Sequence, residues 1–207
     1  MEDVLEVYKR PYDKAYPVIC MDEKPFQLLD HYKDPIPISI KNPVAKEDYE
    51  YVRKGTASIF VFTEPLKAWR RAEALERRTR IDWAGQIKKL LTVDYADAEK
   101  VVLVLDNLNV HNTASLYEAF KPQEALKLAK RLEIHYTPKH GSWLNIAEIE
   151  LSVMGRQCLG QRIGDMDSLN AELKGWQEER NAGEKSVDWQ FTTEDARVHL
   201  RRLYPNI

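Results

Sequence analysis

Three observations predict an α/β fold in which a mixed sheet has an antiparallel, hairpin-bearing first half and helices on both faces. Two unbroken apolar runs of strand length, Val18 to Asp22 and Val101 to Asp106, each end on an aspartate. Runs of this kind belong to strands covered on both faces. Lys54-Gly55-Thr56, flanked by Glu50–Arg53 and Ser58–Thr63, is a hairpin signal and makes the opening antiparallel. From residue 79 onward, stretches of helical spacing alternate with strand-like runs, which places helices against the sheet.

The elements follow in order. Residues 1–16 are charged and bounded by Pro11 and Pro17, and read as a lead-in segment with one short helical turn; residues 17–207 form the domain. The first strand is Val18–Asp22, Pro25 ends or bends it, and Phe26–Leu29 begins a second. Pro35, Pro37 and Pro43 exclude a long helix between His31 and Lys46, leaving an extended surface loop. Ile81, Trp83 or Ala84, Ile87, Leu90 and Leu91 have the spacing of one helix, Thr79–Leu91. After the Val101 strand, Asn112 and Thr113 are suitable N-caps for a helix through Phe120, and Gln123–Arg131 is another. Leu132–Tyr136 is a short strand, followed by a polar loop with Pro138, His140, Gly141 and Ser142 and a helix opening near Trp143. The C-terminal helices, Met166–Arg180 and Thr193–Leu203, occupy about 165–203.

Composition narrows the class. At 43% hydrophobic and 31% charged, the 207 residues suit one globular core. No apolar run approaches membrane-spanning length and no signal peptide opens the chain, so a cytoplasmic protein with no membrane role is expected. Cys20 and Cys158 have no metal or disulfide spacing. The net charge of −2 lacks the basic excess of a protein that holds DNA by bulk electrostatics. Charge is segregated, however: Lys67–Arg80 carries Arg70, Arg71, Arg77, Arg78 and Arg80, which read either as phosphate contacts or as a solvated helix face. Lys121, Lys127, Lys130, Arg131, Arg197, Arg201 and Arg202 are secondary candidates.

The acids carry the chemistry. If the two apolar strands lie side by side and parallel, Asp22 and Asp106 meet at the edge where open α/β sheets place ligands. Glu148 shares a helical stripe with Leu144, Ala147, Leu151 and Gly155 and is expected to point inward, where a carboxylate is costly unless paired or metal-bound. Glu150 is turned roughly 200° from it, and Glu23 alternates away from Asp22; both read as bystanders. Three converging acids repel one another unless a hard cation such as magnesium or manganese lies between them. An aspartate ending a strand is more often a turn former, so Asp22 alone says little. Asp106 says more, because it opens the polar cluster Asp106-Asn107-Leu108-Asn109-Val110-His111-Asn112. Magnesium prefers oxygen to imidazole, so His111 and His140 are read as touching phosphate or orienting neighbouring groups. Asn107 and Asn145 brace the carboxylates. Trp143 is either a packing residue or a surface on which an unpaired base stacks.

Asp106-Asn107 with His111 after a buried strand, and Tyr136 through Glu148 (YTPKHGSWLNIAE), resemble the catalytic domain of bacterial insertion-sequence transposases related to the Tc/mariner superfamily. These are DDE enzymes with an RNase H-like, retroviral-integrase fold. The resemblance continues from the residues around Asp22 through Arg53–Pro65 to Asp188–Pro205. It implies a catalytic and metal-holding triad of Asp22, Asp106 and Glu148, two Mg2+ ions with Mn2+ as substitute, endonucleolytic cleavage at transposon ends and 3′-hydroxyl strand transfer into target DNA. The partners it implies are DNA, a second copy in a homodimer, and an N-terminal helix-turn-helix region on a longer or companion chain. Two alternatives remain at this point: an RNase H-like nuclease that stops after hydrolysis, and a silent transposon-derived DNA-binding protein.

Overall fold

In the computed structural model, which describes residues 1–139 and 141–204, the apolar runs occupy the middle of a five-stranded sheet. The strands are β1 (Val18–His31), β2 (Tyr51–Glu64), β3 (Trp69–Leu75), β4 (Val101–Leu105) and β5 (Leu132–Tyr136), in the order β3-β2-β1-β4-β5. β1, β2 and β3 pair antiparallel, whereas β1, β4 and β5 run parallel. This is the mixed α/β sheet expected. All five residues of β4 are buried, as an unbroken aliphatic run requires.

Helices cover both faces. On one, Ile19, Met21, Phe60, Phe62, Leu103 and Leu105 meet α2 (Arg80–Lys89), the π-helical turn Leu90–Asp94, α3 (Ala114–Ala119) and α4 (Pro122–Ala129) through Trp83, Ile87, Leu90, Leu116 and Leu128. On the other, Cys20, Val102 and Val104 pack with α1 (Glu2–Tyr8) and the start of α5 (Ala147–Gln157). Further along that face, Ile59, Val61, Ala72 and Ala74 meet α5 and α6 (Met166–Ala182), and α7 (Thr193–His199) buries Ala196 beside α1. Thr79 opens α2 with a reciprocal capping box to Asp82. Among the described residues, no helix is long and apolar enough to cross a membrane.

Several expectations need correction. Lys54-Gly55-Thr56 is no hairpin turn: β2 runs straight through it, and the register against β1 slips there, with Leu28 opposite Gly55 and Leu29 opposite Arg53. Gly55 has φ +122°, a conformation that side-chain-bearing residues rarely adopt, so the glycine marks a bulge. Pro25 does not end β1. Only Val18–Cys20 pair with β4, so one edge of the strand is open where the proline lies. The supposed lead-in contributes α1, whose Val4, Leu5, Val7 and Tyr8 are buried. Lys67–Arg80 is not a helix face but contains β3.

Candidate functional site

The register of the central strands brings two acids level. Cys20 of β1 is opposite Val104 of β4, and Asp22 and Asp106 each lie two residues further on. They share the parity of Cys20 and Val104, whose side chains face the core that holds Ile146 and Ala147 at the start of α5. Glu148, in the first turn of α5, joins them electrostatically. Burial pushes the Asp22 carboxyl up, the nearby charges of Glu148, Asp106 and Glu23 reinforce it, and the Glu23 backbone N–H, 2.7 Å from Asp22 Oδ1, opposes it. The balance lies at about 7. Asn145, itself buried, donates from Nδ2 to the Met21 carbonyl (2.9 Å) and to Asp22 Oδ2 (3.3 Å).

The phase of α5 differs from the expected one. Ser142–Leu144 form a 3-10 turn and the α-helix begins only at Ala147, so Leu144 is not on its stripe. The buried stripe is Ala147, Glu150, Leu151 and Met154. Glu148 is therefore exposed and does not face the core, and the supposed bystander Glu150 is the buried carboxylate, 1% exposed. Arg70 meets it with Nε (2.9 Å to Oε2) and Nη2 (3.0 Å to Oε1), and Arg180 Nη2 reaches both oxygens at 3.1 and 3.2 Å.

Arg70 and Arg71 are accordingly not phosphate contacts. Both are buried, and Arg71 is held by Asp94 (2.7 Å), Glu73 and Gln86. Arg80 pairs with Glu118, Arg131 is committed to the Leu91, Tyr95 and Ala98 carbonyls, and Arg197 to Glu2. Arg77 and Arg78 are exposed. Ser142 and Asn107 are exposed, and Trp143 is 44% exposed while stacking on Trp189 and touching Phe191. His140 lies outside the described residues.

Glu23 does leave the Asp22 face, but it does not go idle. Its side chain is 2% exposed, and Oε1 sits 2.9 Å from His111 Nε2. The other ring nitrogen, Nδ1, is 2.6 Å from Asp106 Oδ1. Burial would lower the imidazole, but its hydrogen bonds to Asp106 and Glu23 outweigh burial and raise it to about 9. The ring also lies against Trp83, and the Tyr136 hydroxyl donates to the His111 carbonyl at 2.6 Å. Strand parity shows that Glu23 faces away from Asp22; a partner 88 residues distant leaves no local signal.

Among the described residues, no three His, Cys, Asp or Glu side chains stand close enough to enclose an ion as they are. The donor chemistry nevertheless fits a hard divalent cation: oxygen donors only at Asp22, Asp106 and Glu148, with burial first and the neighbouring carboxylates second raising Asp22 to about 7.

A family model described as DDE superfamily endonuclease matches residues 17–170. No curated protein matches the chain. Among solved structures, the chain resembles the Mos1 mariner paired end complex with Mn (16% identity, TM-score 0.55, covering 88% of this chain and 55% of that one). It also resembles the Mos1 transposase paired-end complex with left transposon end (16%, TM-score 0.57, 88% and 56%) and the Mos1 strand transfer complex (16%, TM-score 0.56, 84% and 50%). The chain thus spans about half the length of the solved chains it matches. At that identity the likeness establishes a shared fold, the RNase H-like architecture. With the family match over most of its length, the chain belongs to the DDE superfamily endonucleases.

Proposed function

We propose that this chain, from residue 17 onward, is the catalytic domain of a transposase that cuts DNA at transposon ends and joins the freed 3′-hydroxyl to target DNA. The carrying observation is the level placement of Asp22 and Asp106 on neighbouring parallel strands, with Glu148 near enough to raise the Asp22 carboxyl. Membership of a DDE endonuclease family and the likeness to Mos1 complexes with transposon ends support it. Asp22, Asp106 and Glu148 are the residues that would hold magnesium, with manganese as substitute. Two such ions would activate the attacking oxygen and stabilise the leaving one, the chemistry that phosphoryl transfer needs and carboxylates alone lack.

The chain's own residues prepare that site. Asp22 must give up its proton on loading, because a ligand carboxylate is ionised. Asn145 restrains both the strand end and the Asp22 side chain, and costs no charge in doing so. Glu148 is exposed, and the exposed Trp143 and Ser142 just before its helix would offer DNA polar and stacking contact; exposed Arg77 and Arg78 are candidates for phosphate contact. End recognition by a helix-turn-helix region elsewhere, a homodimeric active complex and a cytoplasmic, nucleoid-associated location complete the reading.

The test uses the complete transposase with pre-cut and uncut transposon-end DNA in Mg2+ or Mn2+. Asp22→Asn, Asp106→Asn and Glu148→Gln should each reduce cleavage and strand transfer at least 1000-fold, roughly the loss of one transition-state contact of several kcal/mol, while remaining folded by thermal melt. Normal cleavage by Glu148→Gln would overturn the triad. Hydrolysis without strand transfer would leave a nuclease in place of a transposase.

A further inference from the structure

His111 joins Glu23, within β1, to Asp106, the residue after the end of β4. It lies five residues after Asp106, and its ring nitrogens contact Glu23 and Asp106. Nδ1 also lies 3.3 Å from the Asp106 backbone carbonyl, so the ring holds this residue by its main chain as well as by the contact with its carboxylate. Asp106 Oδ1 is buried 2.6 Å from that ring in a charge contact without a well-aligned hydrogen bond, although the side chain as a whole is 34% exposed, so the accessible oxygen is Oδ2. Glu23 Oε2 is buried and unpartnered among the described residues, which makes the glutamate a net cost to the fold. Among the described residues, its compensating side-chain contact is with His111.

We infer that Glu23 and His111 are a positioning pair for Asp106: the imidazole, held from behind by Glu23, pins one carboxylate oxygen and leaves the other for the site. The inference rests on the reading of Asp106 as a metal-holding residue. A carboxylate free to rotate would offer an ion either oxygen or both, whereas a pinned one offers a single oxygen in one direction. Glu23 acts at one remove, through the imidazole.

Mn2+ alone is the probe, titrated into the full chain while free Mn2+ is followed by electron paramagnetic resonance, with a thermal melt of every variant. Glu23→Gln, which preserves shape, and His111→Ala should each weaken Mn2+ binding about 10- to 100-fold, the usual effect of removing a partner behind a ligand. The double variant should be no weaker than His111→Ala alone, because both residues act through one contact. His111→Gln should recover part of the affinity, its amide being able to donate to Asp106. Wild-type affinity in both single variants, with Asp106→Asn weakened, would overturn the pair and spare the triad. Wild-type affinity in Asp106→Asn would overturn both. Loss of the fold in both single variants would also overturn the inference, since the pair would then hold the domain together and not Asp106.

Discussion

Buried charge occurs in two places, and they differ in whether cations balance the acids. Around Glu150, two arginines from β3 and α6 satisfy both carboxylate oxygens, and Arg70 also donates to the Ala68 and Lys185 carbonyls. Around Asp22, four carboxylates (Asp22, Glu23, Asp106 and Glu148) come within electrostatic reach, and among the described residues His111 is the one cation that touches them. The Glu150 set ties β3, α5 and α6 together with its carboxylate fully met by cations, although Arg70 Nε and Arg180 Nε keep no well-aligned hydrogen-bond partner among the described residues. An unbalanced set opposes the fold that contains it, and strongly perturbed groups of this kind gather at functional sites. The two sets meet on α5, where Glu150 anchors the helix that presents Glu148.

The sharpest way to break this comparison is to remove the balance at Glu150. Glu150→Gln leaves two arginines facing a neutral amide in the interior, and stability should fall by roughly 3 to 5 kcal/mol. Glu148→Gln, on the exposed side of the same helix, should stay within about 0.5 kcal/mol. Urea midpoints of the two variants decide, and a Glu150→Gln chain as stable as wild type would remove the structural half of the contrast.

A smaller effect of opposite sign belongs to Asp22. Between its ordinary 3.8 and the folded value of about 7, the folded chain keeps a proton that the unfolded chain has lost. The stability contribution of this group therefore falls as pH rises through that window. Asp22→Asn has nothing to titrate. With divalent metal chelated, it should match the wild type near pH 4 and exceed it by roughly 1 to 3 kcal/mol at pH 8, after allowance for solvent screening of a partly exposed carboxyl. Parallel pH profiles for the two proteins would show that Asp22 is not strained.

The smallest change is expected at an exposed pair, which sets the scale for the others. Lys88 and Glu124 lie 2.7 Å apart on α2 and α4, both well exposed. Glu124→Gln should cost less than about 1 kcal/mol, and the difference should vanish at high salt.

The strands and most helices were legible locally. Val101–Leu105 is buried on both faces because no other environment suits five aliphatic residues in a row, and Leu132–Tyr136 has the bounds its pattern indicates. That β1 and β4 are parallel neighbours was only a condition in the sequence reading, and the sheet meets it. Gly55 was visible as a breaker, but a turn and a bulge make the same demand for an unusual φ, and only the partner strand distinguishes them.

Periodicity assigns directions only once a helix has a starting point. The 3-10 turn at Ser142–Leu144 reset the phase of α5, so Glu150 went inward and Glu148 outward. Arg70 and Arg71 carry the same charge as Arg77 and Arg78, yet two are buried and two exposed, because α5 and α6 cover Arg70 on one face of β3 while α2 and the π-helical turn cover Arg71 on the other. The sequence by itself determined the order of elements and the positions of Asp22 and Asp106, since burial of an unbroken apolar run depends on adjacent residues alone. Tertiary structure decided what each charge meets: Glu150 with Arg180, Glu23 with His111, and the burial of α1. Those contacts join residues 30 to 88 positions apart or more, and nothing in a local pattern encodes a partner brought in by another element.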